Sequence, residues 1–286
     1  MKIGITFNPY GNTYSRYGKQ KFLKLKQHGY DAVDYNLADT ETALYCLDEK
    51  ELKQTLCAEK SAADIAGIQI FQVHGPWRWP PQDRTREELC ERMDKMKKAA
   101  YITSLLGCDS LVIHPIMPFG IEDLLCDKQH ETRAMNIEFF TALTGFAKQY
   151  GVTVCLENMP MRNFSLSKPE KISELVKEIN DDNLKMCLDT GHVCVFPDLA
   201  AGDEIRNFGN YIKVLHIHDN MGEADSHMYP SKGITDWKDF ADSLREVNFG
   251  GVLSLETSPS GELDDLAFEK ESKGLCKMFR ELVCEK

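Results

Sequence analysis

Imidazoles and carboxylates recur in this chain at one kind of place, the end of an apolar, strand-like run. His74 closes Ile68 to Val73, His114 closes Ser110 to Ile113, and Glu157 closes Val152 to Leu156. Asp189 closes Leu184 to Leu188, and Glu256 closes Val252 to Leu255. The densest case is Leu215-His216-Ile217-His218-Asp219-Asn220, which ends the run from Tyr211 and is followed by Asp225-Ser226-His227. Successive runs thus each deliver a ligand-type residue at the same end. With helices between the runs, a parallel barrel with its site on the C-terminal face brings all these ends together.

The chemistry implied is metal binding. Glu157, Asp189 and Glu256 would converge near the barrel axis. Three carboxylates in one pocket repel one another, and at least one protonates unless a cation is present. The imidazole of His216 completes a mixed nitrogen and oxygen set that suits Mn²⁺, Zn²⁺, Co²⁺ or Fe²⁺ better than Ca²⁺. His74, His114, His192, Asp225 and His227 are candidates for further metal ligands. They are equally candidates for groups that bind substrate hydroxyls or brace loops. His218 is two positions from His216, so both point to one face of the strand; it is a candidate for substrate contact or for supporting the ligands. Trp77-Arg78-Trp79 reads either as a hydrophobic lid or as a platform that stacks on a sugar ring, with Arg78 reaching an anionic group. His28 and His130 lie in or just before helices and carry no assigned role.

The elements that must position these residues follow from the spacing. The chain has 286 residues, close to the ~250 of one (β/α)₈ barrel with loop insertions. No low-complexity linker divides it, so residues 1–286 are expected to form a single domain. Strands are expected at 2–7, 32–35, 68–74, 110–114, 152–157, 184–189, 211–217 and 252–256. Helices are expected near 15–28, 48–66, 84–106, 132–150, 168–180, 199–208, 236–247 and 263–283. Glycines at 29, 67, 107 and 151 are plausible helix stops, and Pro169 suits a first helical turn.

Composition narrows the function classes. Net charge is −11, from 34 Lys and Arg against 45 Asp and Glu. That disfavours binding to a phosphate backbone, which needs a basic footprint. The start Met1-Lys2-Ile3-Gly4-Ile5 runs straight into a strand without a leader pattern. No apolar run approaches the ~20 residues needed to span a membrane. The ten cysteines show no paired zinc-ribbon spacing and read as small core residues of a cytoplasmic protein.

Taken together, Val73-His74-Gly75-Pro76, Ile113-His114-Pro115, Leu156-Glu157-Asn158, Leu188-Asp189-Thr190-Gly191-His192, His216-Ile217-His218-Asp219-Asn220, Asp225-Ser226-His227 and Leu255-Glu256-Thr257 resemble the xylose isomerase-like TIM-barrel superfamily. That group holds sugar phosphate isomerases and epimerases and, as a branch, endonuclease IV-type AP endonucleases. The resemblance implies a single divalent ion on Glu157, Asp189, His216 and Glu256 if the chain is like the ketose epimerases. The two glutamates would then serve as acid and base, and His192 would touch substrate. The endonuclease branch implies up to three ions, on those four together with His74, His114, His192, Asp225 and His227. The arginine that ketose 3-epimerases carry six residues beyond the strand-seven ligand is Gly222 here, and the usual Gly-rich turn reads Pro230-Ser231-Lys232-Gly233. The expectation is a metal-dependent sugar or sugar-phosphate isomerase or epimerase of carbohydrate metabolism, acting through an enediolate on a small-molecule substrate. A homo-oligomer is left open. The alternatives are a metal-dependent phosphodiesterase of the AP-endonuclease kind and a non-catalytic sugar-binding barrel.

Overall fold

A computed structural model of the chain describes all residues except Asn12, Thr40, Glu41, Arg78, Pro80, Gln82, Glu285 and Lys286. Eight strands alternate with helices: β1 Lys2–Phe7, β2 Ala32–Asn36, β3 Gln69–His74, β4 Ser110–Ile113, β5 Thr153–Glu157, β6 Leu184–Asp189, β7 Ile212–His216 and β8 Val252–Leu255. The helices are α1 Lys21–Gln27, α2 Glu49–Ala66, α3 Arg86–Leu105, α4 Gln129–Ala147, α5 Pro169–Ile179, α6 Thr190–Cys194, α7 Ala201–Phe208, α8 Trp237–Glu246 and α9 Asp265–Cys284. Every ladder is parallel, in the order β7-β6-β5-β4-β3-β2-β1-β8. Ile217 closes the ring: its N–H donates to the Ser254 carbonyl, and the Glu256 N–H donates to its own carbonyl, both at 2.9 Å. The chain is a single (β/α)₈ barrel, as the sequence implied.

Local chemistry sets the element ends. Thr85 and Glu88 cap α3 reciprocally, Asp48 accepts from Glu51 N–H at the start of α2, and Pro169 opens α5. These caps satisfy amide groups that the first helical turn leaves free. Two expectations are corrected. The helix near 15–28 is a 3-10 segment, Tyr14–Gln20, followed by α1, because Gly18 takes a non-helical conformation (φ 50°, ψ −122°). The five-residue α6, directly after β6, was not anticipated; Asp189 is at once a strand end and its cap, accepting from His192 N–H.

The barrel separates two cores. Most apolar side chains pack between strands and helices. A second, smaller cluster of Val112, Cys155, Cys187 and Val214 lies apart from it. Each of these four stands two residues before His114, Glu157, Asp189 or His216. The period of two therefore points them to the same face as the ligand-type residues, forming a floor beneath them. Across the barrel the floor is polar: Asp34, Gln72 and Ser254 are buried there. Of the cysteines whose side chains are described, five are buried and Cys46, Cys57, Cys90 and Cys126 are exposed, all as free thiols. No described helix is long and apolar enough to cross a membrane.

Candidate functional site

The strand ends meet as the register requires. One ligand atom from each of Glu157, Asp189, His216 and Glu256 lies within 4.8 Å of the others. Glu157 is the hub. Its Oε1 is 2.9 Å from His216 Nδ1, and its Oε2 is 3.1 Å from His114 Nε2 and 3.8 Å from His74 Nε2. Glu256 Oε2 lies 3.4 Å from His216 Nδ1. Asp189 Oδ2 is 3.1 Å from His218 Nε2.

A second group of atoms adjoins this one. His192 Nε2 and His227 Nε2 lie 3.2 and 3.4 Å from Asp225 Oδ2. His218 Nε2 is 3.5 Å from Asp225 Oδ1 and 4.0 Å from Glu256 Oε2. His218, Asp225 and His227 also satisfy the spacing for a metal ion, as do Asp189, His192 and His218.

The frame around these atoms is rigid. Asn158 Oδ1 accepts from Asp189 N–H at 2.8 Å and its Nδ2 donates to the Asp189 carbonyl at 3.1 Å, tying the ends of β5 and β6 together. Gly191 packs directly under His218; a Cβ there would lie 1.9 Å from the imidazole, so any side chain would displace the ring. Asp219, fully buried, accepts from Gly233 N–H, Thr235 Oγ1 and Trp237 Nε1 at 2.9–3.0 Å. It thereby anchors the loop that carries Asp225 and His227.

Electrostatics separate the two glutamates. Burial pushes the Glu157 carboxyl up, but the adjacent His216 and His114 outweigh it and hold it well below the usual range. Burial also raises Glu256, and there Glu157 and Asp189 add to the effect, so it stays well above the usual range despite His216. His192 is desolvated, yet Asp189 and Asp225 push it up to about 10. His114 goes the other way, to about 4, because burial dominates.

The donor set suits a divalent ion. Glu157 Oε2, Glu256 Oε2 and Asp225 Oδ1 are buried without a hydrogen-bond partner. Orphaned carboxylate oxygens are costly, and a cation held between Glu157 and Glu256, which share one ligand cluster, would satisfy those two. The mixture of imidazole and carboxylate fits Mn²⁺, Zn²⁺ or Co²⁺.

Above the cluster opens a cavity of about 510 Å³, walled by Asn36, Trp77, Trp79, Met159 and Met161, with His74, His114 and His192 also facing it. His74 and His114 are in edge contact at 4.9 Å, and Trp77 packs on His114 at 4.5 Å. Arg78 lies outside the described residues. His218 differs from the substrate contact expected of it: it is fully buried, stacked beneath His227 at 4.0 Å, with its Nε2 among carboxylates rather than on the cavity wall. Sequence reasoning missed Asp34, whose Oδ2 lies 2.9 Å from His216 Nε2. The available signal was an acid inside the buried run Ala32-Val33-Asp34-Tyr35. It also missed the bracing roles of Asn158 and Asp219.

Comparison with known proteins agrees with this fold. The family model described as "Xylose isomerase-like TIM barrel" matches residues 22–281. The chain is 26% identical over 294 residues to an uncharacterized protein of Methanocaldococcus jannaschii, covering all of this chain and 92% of that one. It is 28% identical over 264 residues to a D-psicose 3-epimerase of Agrobacterium fabrum, covering 90% of this chain and 84% of the other. Among solved structures, a D-psicose 3-epimerase determined in the presence of D-fructose superposes with a TM-score of 0.77, at 18% identity and complete coverage of both chains.

Proposed function

We propose that this chain, which belongs to the xylose isomerase-like TIM barrel family, is a divalent-metal-dependent sugar or sugar-phosphate isomerase or epimerase. Named relatives over most of its length are sugar epimerases. The observation that carries the reading is the pair Glu157 and Glu256, which flank His216 Nδ1 at 2.9 and 3.4 Å and face one cavity. Two carboxyls whose environments drive them apart are a general mark of an acid and base pair.

Glu157, Asp189, His216 and Glu256 would hold the ion. When bound, it supplies Lewis-acid polarisation of the substrate carbonyl and its neighbouring hydroxyl, which acidifies the C–H between them. Glu157, ionised, removes the proton from one face of that carbon. Glu256, which retains a proton, returns one from the other, and the centre inverts through an enediolate. His192 donates Nδ1–H to the Asn158 carbonyl at 2.6 Å and holds Nε2 against Asp225 Oδ2 at 3.2 Å on the cavity wall; the pair is placed to orient a substrate hydroxyl. Trp77 and Trp79 offer faces on which the apolar side of a sugar ring packs.

The test is exchange of substrate C–H with solvent deuterium, followed across ketoses and ketose phosphates with metal-replete protein. Exchange coupled to epimer or isomer formation is expected. Its absence across the panel, together with incision of abasic DNA, would replace this reading with the phosphodiesterase.

A further inference from the structure

We infer that Asp34, on β2, is a positioning residue for the metal centre: its carboxylate fixes the tautomer and aim of His216 from across the barrel. The inference rests on the reading of His216 as a metal ligand given above.

Six histidines crowd the site, and the ring nitrogen turned away from its centre tells them apart. His74, His192 and His227 each donate Nδ1–H to a backbone carbonyl, of Gly75 at 2.8 Å, Asn158 at 2.6 Å and Glu256 at 2.8 Å. All three therefore present Nε2. His114 and His218 have an Nδ1 without a hydrogen-bond partner. His216 is inverted. Its Nε2–H donates to Asp34 Oδ2 at 2.9 Å, and Nδ1 is the atom that faces Glu157 and Glu256. Among the described residues, it is the one site histidine whose outward nitrogen is held by a carboxylate.

Asp34 is itself built for this. It is 1% exposed, inside a strand of otherwise largely apolar residues. A buried carboxylate in such a place is expensive unless it is hydrogen-bonded. Gln72, fully buried on β3, donates from Nε2 to the same Oδ2 at 3.2 Å and to the Leu215 carbonyl at 3.4 Å. That crossbar ties β3 to the strand carrying His216 and aims the carboxylate at the ring. The polar half of the barrel floor thus has a purpose that the apolar half, Val112, Cys155, Cys187 and Val214, cannot serve.

The consequence follows from general metal chemistry. A carboxylate accepting the far N–H of a ligating histidine fixes ring orientation and raises the basicity of the ligating nitrogen more than a carbonyl does. Asp34 therefore makes His216 the strongest imidazole donor of the six, and marks the Glu157, Asp189, His216 and Glu256 group as the tighter site.

The test uses Asp34→Asn, nearly isosteric, with Asp34→Ala beside it. Metal affinity of stripped full-length protein is read by competition with a chromogenic chelator, and ligand geometry by the visible spectrum of the Co²⁺ form. Asp34→Asn should weaken binding by ~10–100-fold, the usual worth of a group bracing a ligand, and shift the Co²⁺ bands. A merely structural role would lower the melting temperature and leave that spectrum alone. An affinity and spectrum unchanged from wild type would overturn the inference. Should neither variant fold, nitrogen NMR of zinc-loaded wild type decides: His216 must carry its proton on Nε2, and a proton on Nδ1 overturns the assignment. A wild type that binds no divalent ion at all sinks the metal reading and this inference together, whereas binding with an indifferent Asp34→Asn sinks only the latter.

Discussion

The ligand-type residues of this site come from two kinds of backbone. Glu157, Asp189 and His216 stand on strand ends, are fully buried and are cross-braced by Asn158, Asp34 and the β5–β6 ladder. Asp225 and His227 come from the loop after β7. His227 adopts a left-handed backbone (φ 46°) that a non-glycine residue rarely takes, and its side chain is 43% exposed. A strand end has one place for its side chain, set by register. A loop residue is held by a few contacts, here the anchor at Asp219 and the bond from His227 Nδ1–H to the Glu256 carbonyl. The strand-borne group is fixed by register and cross-strand bonds, and the loop-borne group by the Asp219 anchor and one bond to a carbonyl.

Glu157 is where substitution should cost most. Glu157→Gln removes a ligand and the proposed base together, and leaves His216, His114 and His74 facing a neutral amide. Turnover should fall by more than the ~10²–10⁴-fold of a lost general base, with metal content falling beside it. Full metal occupancy and near-normal turnover in this variant would show that the strand ends are not the centre of the site.

Glu256→Gln sharpens the roles. An amide oxygen can still ligate weakly, so metal should be retained while turnover drops ~10²–10⁴-fold. Deuterium exchange should become one-sided, because Glu157 still removes a proton from its own face. Loss that merely tracks metal occupancy would argue that Glu256 is a ligand and nothing more.

The pH dependence separates metal-free from metal-loaded protein. Without metal, His216 is desolvated but held well above its ordinary value by the carboxylates of Glu157, Glu256 and Asp34, and Glu256 is raised by burial. Metal must displace the proton on His216 Nδ1, so affinity should rise with pH and uptake should release a proton, measurable by calorimetry in buffers of different ionisation enthalpy. His192 is at about 10 in the folded protein, against 6.5 for an ordinary histidine. Its stabilisation of the metal-free form is complete below 6.5 and is lost as pH climbs towards 10. The melting temperature of stripped protein should fall across that window, and that of the loaded protein should fall less.

The smallest effect is expected in the loop. Asp225→Asn should leave metal affinity at the strand-borne group near wild type and slow turnover by only ~10-fold, the lower end for a group outside the ligand shell. A collapse of metal binding would move Asp225 into that shell.

Much of this was legible in the sequence, and the reason is periodicity. A buried strand that ends in His74, Glu157 or Asp189 states both its element and its facing, because the barrel turns all strand ends the same way. What was not legible depended on contacts between distant strands. Asp34 reads as an oddity within β2 until β7 is placed opposite it. His218 shares a face with His216, but the chain alone does not say that Gly191 lets it sink beneath His227. The break in the first helix turns on one backbone angle at Gly18. Asp219 reads as one more acid of the cluster, although its carboxylate is spent on Gly233, Thr235 and Trp237.

On the proposed reading, the strand-borne group is the primary metal site. Crystals of metal-free protein given one equivalent of Mn²⁺ test it through the anomalous difference map. One strong peak is expected, bounded by Glu157, Asp189, His216 and Glu256, at ligand distances of roughly 2.0–2.3 Å. A sole peak among His218, Asp225 and His227, with that group empty, would contradict it.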